Sequence, residues 1–88
     1  MKTRSKAFGN SNVVGKCIEK MRLEKRIKQG DFIAKLQSMG LDINPTSYSK
    51  LEGQVRQATD LEIYYIAKAL NVSMKELFRE YEQANDIT

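Results

Sequence analysis

A chain of 88 residues, 41% hydrophobic, with a net charge of +4, has the size and composition of one small globular domain and no room for a second. No stretch approaches the roughly 18 apolar residues of a membrane span, and no apolar block follows the basic start, so neither a membrane protein nor a secretory signal is expected. One cysteine and no histidine leave no internal disulfide, no metal-spaced cluster and no nucleophile–base pair, which points away from an enzyme and toward a cytoplasmic chain without metal or cofactor.

Residues 1–11 place Gly9, Asn10 and Ser11 among charges, with Phe8 the only bulky side chain. They read as a flexible basic arm. Asn12 is a suitable helix cap, and Val14, Cys17, Ile18 and Met21 recur every three or four residues after it, predicting a first helix that ends near Lys25. Ile27 then serves as a buried plug. The second helix takes Phe32, Ile33, Leu36 and Met39 as its apolar face and stops at Gly40. Leu41 and Ile43 flank Asp42 in a short connection. Asn44 followed by Pro45 is a strong start signal for a third helix, which Tyr48 and Leu51 turn inward and Gly53 ends.

After the loop from Gly53 to Ala58, Thr59 or Asp60 caps a fourth helix with Ile63, Ile66, Ala67 and Leu70 inward, stopped at Asn71. Ser73-Met74-Lys75-Glu76 is a capping box that opens a fifth helix through Leu77, Phe78 and Tyr81. The domain is expected over residues 12–82 and a frayed tail over 83–88. Met21, Met39 and Met74 read as core filler. Five short helices without a convincing strand predict an all-α bundle.

The segment from Gln29 to Glu52 carries the functional signal. Two helices meet through a tight connection, and the second opens with small polar side chains and has Lys50 one turn on. This is the layout of a helix-turn-helix, whose second helix enters the DNA major groove. Charge agrees: residues 1–30 hold nine Lys/Arg against two acids, and the remainder six against nine. A basic front on a mildly acidic body fits a polyanionic partner.

Four stretches also resemble a known family. Val14-Gly15-Lys16 with Ile18, Met21 and Arg22, then Ile27-Lys28-Gln29 with Phe32, Lys35 and Leu36, then Ser47 through Gly53, and then Ile66 through Ser73 with Glu76-Leu77-Phe78 are similar, in order and spacing, to the Cro/repressor-type helix-turn-helix domains of bacteria and phages, also called the xenobiotic-response-element family. The resemblance covers about Val13 to Phe78. It implies a five-helix lambda-repressor-like bundle acting as a sequence-specific DNA-binding regulator of transcription, commonly a homodimer on two half-sites. Three departures stand out: a longer stretch from Gln37 to Asn44, Arg26 and Lys28 where the family often has Gly and Thr, and Pro45 where many members place Arg or Gln.

On that resemblance the DNA-binding residues are Gln29, Asn44, Thr46, Ser47, Lys50, Gln54 and Arg56. Gln29 sits near the positive end of the second helix, where a phosphate can be held, and also braces the third helix. Asn44 acts as cap, as adenine contact or as both; Thr46 and Ser47 reach base edges, and Lys50 a base or phosphate. Gln54 and Arg56 lie where the family touches the DNA backbone, and Arg22, Arg4 and Lys6 are weaker candidates. Tyr48 packs inward by its spacing from Leu51, and one of Tyr64 and Tyr65 lies on the surface. A homodimer would use the fifth helix near Phe78 and Tyr81. The competing expectation is a protein-interaction module on the same fold, antitoxin-like or meeting a phage factor, with weak DNA binding.

Overall fold

The computed structural model describes residues 11–84. The expected arm lies outside them apart from Ser11, which is exposed. Of the expected tail, Gln83 and Ala84 are the last residues of a helix, and residues 85–88 lie outside the described residues. Five helices follow one another: α1 (Val14–Glu24), α2 (Gln29–Ser38), α3 (Pro45–Glu52), α4 (Asp60–Leu70) and α5 (Met74–Ala84). There is no strand among the described residues.

Side chains set four of the five helix starts. Asn12 Oδ1 accepts from Gly15 N at 2.8 Å, and Asn44 Oδ1 accepts from Ser47 N at 2.8 Å with Pro45 opening α3. Thr59 and Glu62 form a reciprocal capping box on α4, and Ser73 and Glu76 form another before α5, with both bonds at 3.1 Å. Such caps satisfy N–H groups that the helix leaves unpaired, each contributing about 1 kcal/mol.

The first four helices stop in the same way. A left-handed residue reverses the chain, and the next N–H returns to the carbonyl five residues back. The pairs are Ile27 N with Arg22 O, Leu41 N with Leu36 O, Val55 N with Lys50 O, and Val72 N with Ala67 O, at 2.9–3.1 Å. The left-handed residues are Arg26, Gly40, Gln54 and Asn71. Helix α3 ends at Gly53 as expected; Gly53 itself keeps a right-handed backbone at φ −77°, and Gln54 makes the reversal at φ +64°. The apolar residue after each reversal packs on the core at Ile27, Leu41 and Val72, whereas Val55 remains 67% exposed.

The core gathers one stripe from each helix. Ile18, Phe32, Leu36, Tyr48, Leu51, Ile66, Leu70 and Leu77 are fully buried. Helix α1 packs on α3, α4 and α5, and α2 packs on α3 and α4. Met21 and Met39 are half-buried against this core as expected. Met74 is not: it is 42% exposed, because it opens α5 at the rim of a groove beside α4 that its neighbours leave unfilled. Among the described residues no helix is long and apolar enough to cross a membrane.

Candidate nucleic-acid interface

Helix α3 is the element on which the expected site depends, and its inner face fixes its position. Tyr48 and Leu51 are fully buried, with the Tyr48 ring edge-on to Phe32 of α2 at 5.9 Å between centroids. The six-residue connection over 39–44 is longer than a minimal turn yet pinned. Leu41 and Ile43 are buried beneath it, Gly40 adopts φ +106°, and Gln37 Nε2 donates to Ile43 O at 2.8 Å. The extra length is therefore an anchored part of the fold.

The far end of α3 is held by Glu52. Arg22 Nε donates to Glu52 Oε2 at 3.0 Å and Arg22 Nη2 to Oε1 at 2.9 Å, while Arg22 Nη1 donates to Ile27 O at 2.7 Å. Tyr48 Oη donates to Oε2 at 2.6 Å, and Gln29 Nε2 to Oε1 at 3.2 Å. One carboxylate thereby ties α1, α2 and α3 together. Its hydrogen bonds to the Arg22 guanidinium hold that group above its usual pKa. Burial first, and then Glu52, push the Tyr48 phenol far above the ordinary tyrosine range, so Tyr48 stays a donor.

This geometry reassigns several residues that the sequence offered for DNA contact. Arg22 is buried and committed to Glu52. Arg56 Nε donates to Ser47 O at 2.9 Å, its Nη1 to Gln57 O at 2.8 Å and Glu62 Oε1 at 2.9 Å, and its Nη2 to Glu62 Oε2 at 2.8 Å. Four of its five N–H groups are thus engaged inside the protein, and its role is to pin the loop after α3. Burial opposes the Glu62 charge, but the bonds from Arg56 and Thr59 outweigh it and hold that carboxyl below its usual pKa. Gln54 Nε2 donates to Asn12 O at 3.1 Å, which turns its amide toward α1. Gln29 braces α3 through Glu52, as expected, and also accepts from Ser49 Oγ at 3.3 Å.

What stays outward is a compact polar strip. Asn44, Thr46, Ser49 and Lys50 are exposed and Ser47 is half-buried. Asn44 acts as the cap while remaining at the surface. Beside the start of α2, Lys25, Arg26 and Lys28 are all exposed, and no side chain caps that helix end. Hydroxyls, an amide and an ammonium on a rigid helix can hydrogen-bond base edges, and the basic turn can approach phosphates. Among the described residues no cluster of Cys, Asp or Glu is placed to hold a metal ion.

Three structural residues escaped the sequence reading. Asn12 does more than cap: its Nδ2 donates to Leu51 O at 3.0 Å and Arg56 O at 2.8 Å, so it fastens the start of α1 to the exit of α3. Glu52 and Glu62 carry no role in the sequence reading. A signal existed for the first of these. Arg22 continues the Val14–Ile18 stripe, and Glu52 follows Tyr48 by four residues, so opposite charges stand on two apolar faces.

No family model matches the chain, and comparison with curated proteins and with solved structures gives no match.

Proposed function

We propose that this protein binds double-stranded DNA through the outward face of α3, in the manner of a lambda-repressor-like helix-turn-helix, and acts as a sequence-specific regulator of transcription. The observation that carries the reading is the division of labour on α3. The buried contacts that position the helix are made on its inner side and at its ends, by Tyr48, Leu51, Glu52 and the Asn44 cap, with Ser49 Oγ adding one exposed bond to Gln29. Thr46, Ser49 and Lys50 are left exposed on a helix that cannot shift without breaking the Glu52 network. Preorganised polar groups of this kind are what base readout needs.

The basic turn beside α2 supports the same reading, since Lys25, Arg26 and Lys28 would meet the DNA backbone next to the groove. With Pro45 carrying no donor, sequence preference falls on Thr46, Ser49 and Lys50, together with Asn44. The test is selection of bound duplexes from a random DNA pool, followed by a salt titration of the winning site. A recovered motif with binding that weakens steeply as salt rises is the expected result. An unenriched pool, or binding indifferent to salt, would overturn the reading.

A further inference from the structure

We propose that the exposed face of α4 is a self-association surface, on which two copies of this chain pair their α4 helices antiparallel about a two-fold axis at Tyr64. Most of the large apolar residues in this protein are buried. Two of the exceptions, Leu61 at 57% exposure and Tyr64 at 49%, lie one turn apart on α4. A third, Met74, faces Tyr64 across an open groove of about 460 Å³, whose floor includes Ala67 and Val72. The opposite side of α4, through Ile66, Ala69 and Leu70, already fills the core, while Leu61 and Tyr64 stay exposed on the outer face. Clustered exposed apolar side chains of this kind mark an interaction surface.

The charges on α4 identify the occupant. Asp60 stands four residues before Tyr64 and Lys68 four residues after it, on the same side of the helix. An antiparallel second α4 centred on Tyr64 sets each copy's Asp60 against the other copy's Lys68. Both pairs form at once, as a self-complementary two-fold interface requires. The two helix dipoles then also run in opposite directions. A parallel second copy would instead bring like charges together. Lys68 is poised for this exchange: its Nζ lies 5.6 Å from the centre of its own Tyr64 ring, and Asp60 is exposed in the first turn. The α5 surface expected from the sequence is less available, because Phe78 packs on the core of its own domain. This inference does not depend on DNA binding.

Sedimentation velocity of the full chain over a concentration series tests it. The expected result is a monomer–dimer equilibrium that Asp60→Lys or Lys68→Glu weakens at least tenfold each, and that the two changes together restore toward the starting value. Circular dichroism melts of each variant separate lost pairing from lost folding. As an independent readout, Tyr64→Cys lies on the two-fold axis and should oxidise to a covalent dimer, while Leu23→Cys on the exposed side of α1 should not; the native Cys17 is buried. A chain that stays monomeric at its highest soluble concentration overturns the proposal. So does a dimer indifferent to both charge changes, or one not restored by the double change. Binding to a single DNA half-site is unaffected by either result, so the two readings stand or fall separately.

Discussion

Arg22 on α1 and Glu52 at the end of α3 meet in a two-pronged ion pair, with side chains only 8% and 3% exposed. Two charges were taken from water to build this contact, and their mutual attraction with three supporting hydrogen bonds offsets that loss only while both are present. Removing one leaves the other buried and unpaired. Arg22→Leu is therefore expected to cost about 3–5 kcal/mol of unfolding free energy, measured by denaturant titration. Replacing the three buried polar members, by Arg22→Leu, Glu52→Leu and Tyr48→Phe together, should return most of that stability. A single change costing under about 1 kcal/mol would show that the pair is not held as described.

Gly15 lies where α1 crosses the end of α3. A Cβ added there would stand 2.3 Å from Leu51 O and 2.8 Å from Glu52 O, both backbone atoms that cannot swing aside. Gly15→Ala should push α3 off α1 and destabilise by about 1–3 kcal/mol or more, despite the better helix propensity of Ala. Gly30 has nothing within 4 Å of the same added atom, so Gly30→Ala should stabilise by about 0.5–1 kcal/mol. Thermal melts of the two variants should move in opposite directions.

The five helices were legible because apolar periodicity coincides with strong local start and stop chemistry: Asn12, Asn44-Pro45, Thr59, Ser73 with Glu76, and the stops at Gly40, Gly53 and Asn71. What the sequence could not supply is which polar groups are spent inside the fold. Arg56 looks like a free loop cation until Glu62, six residues on, is seen to take both prongs of its guanidinium. Arg22 and Glu52 are thirty residues apart, and only the packing of α1 on α3 brings them together. Ser49 illustrates the converse. It is a small polar residue with no local signature, and it reached the candidate surface only once Tyr48 and Leu51 fixed which way α3 faces.

Lys50 and Arg56 separate these two kinds of cation experimentally. Lys50 is exposed on α3, and if it meets a phosphate then Lys50→Ala should reduce the salt slope of DNA binding by about one unit. Arg56 is already paired, so Arg56→Ala should lower unfolding stability and leave that slope nearly unchanged at temperatures where the fold is intact. Equal slope changes in both variants would return Arg56 to the DNA surface.

Acid should loosen the loop after α3. The Glu62 carboxyl is held below its ordinary value of 4.5 in the folded protein. The fold therefore favours its ionised form, and the resulting stability is fully present above the unfolded value and is lost as pH falls through the folded one. Glu76, held down by its bonds with Ser73, acts in the same direction at the start of α5. The melting temperature should drop on acidification below about pH 4.5. Glu62→Gln, which cannot titrate, should start lower at neutral pH and show a shallower decline over that window. An acid profile identical to that of the unsubstituted chain would mean that Glu62 makes no such contribution.

Val55 is the exception among the four apolar residues that follow a helix reversal, being 67% exposed while its counterparts pack inward. Its backbone is nevertheless fixed, with its N–H on Lys50 O at 2.9 Å and the next residue, Arg56, pinned to Ser47 and Glu62. If α3 enters the major groove as proposed, this exposed apolar side chain on a fixed backbone would lie against sugar or a thymine methyl group. Since Val55 supports nothing in the core, Val55→Ser should change folding stability by less than about 0.5 kcal/mol. DNA affinity should fall, but the salt slope should not, because no phosphate contact is removed. Affinity unchanged across a salt series would show that Val55 faces solvent in the complex as well.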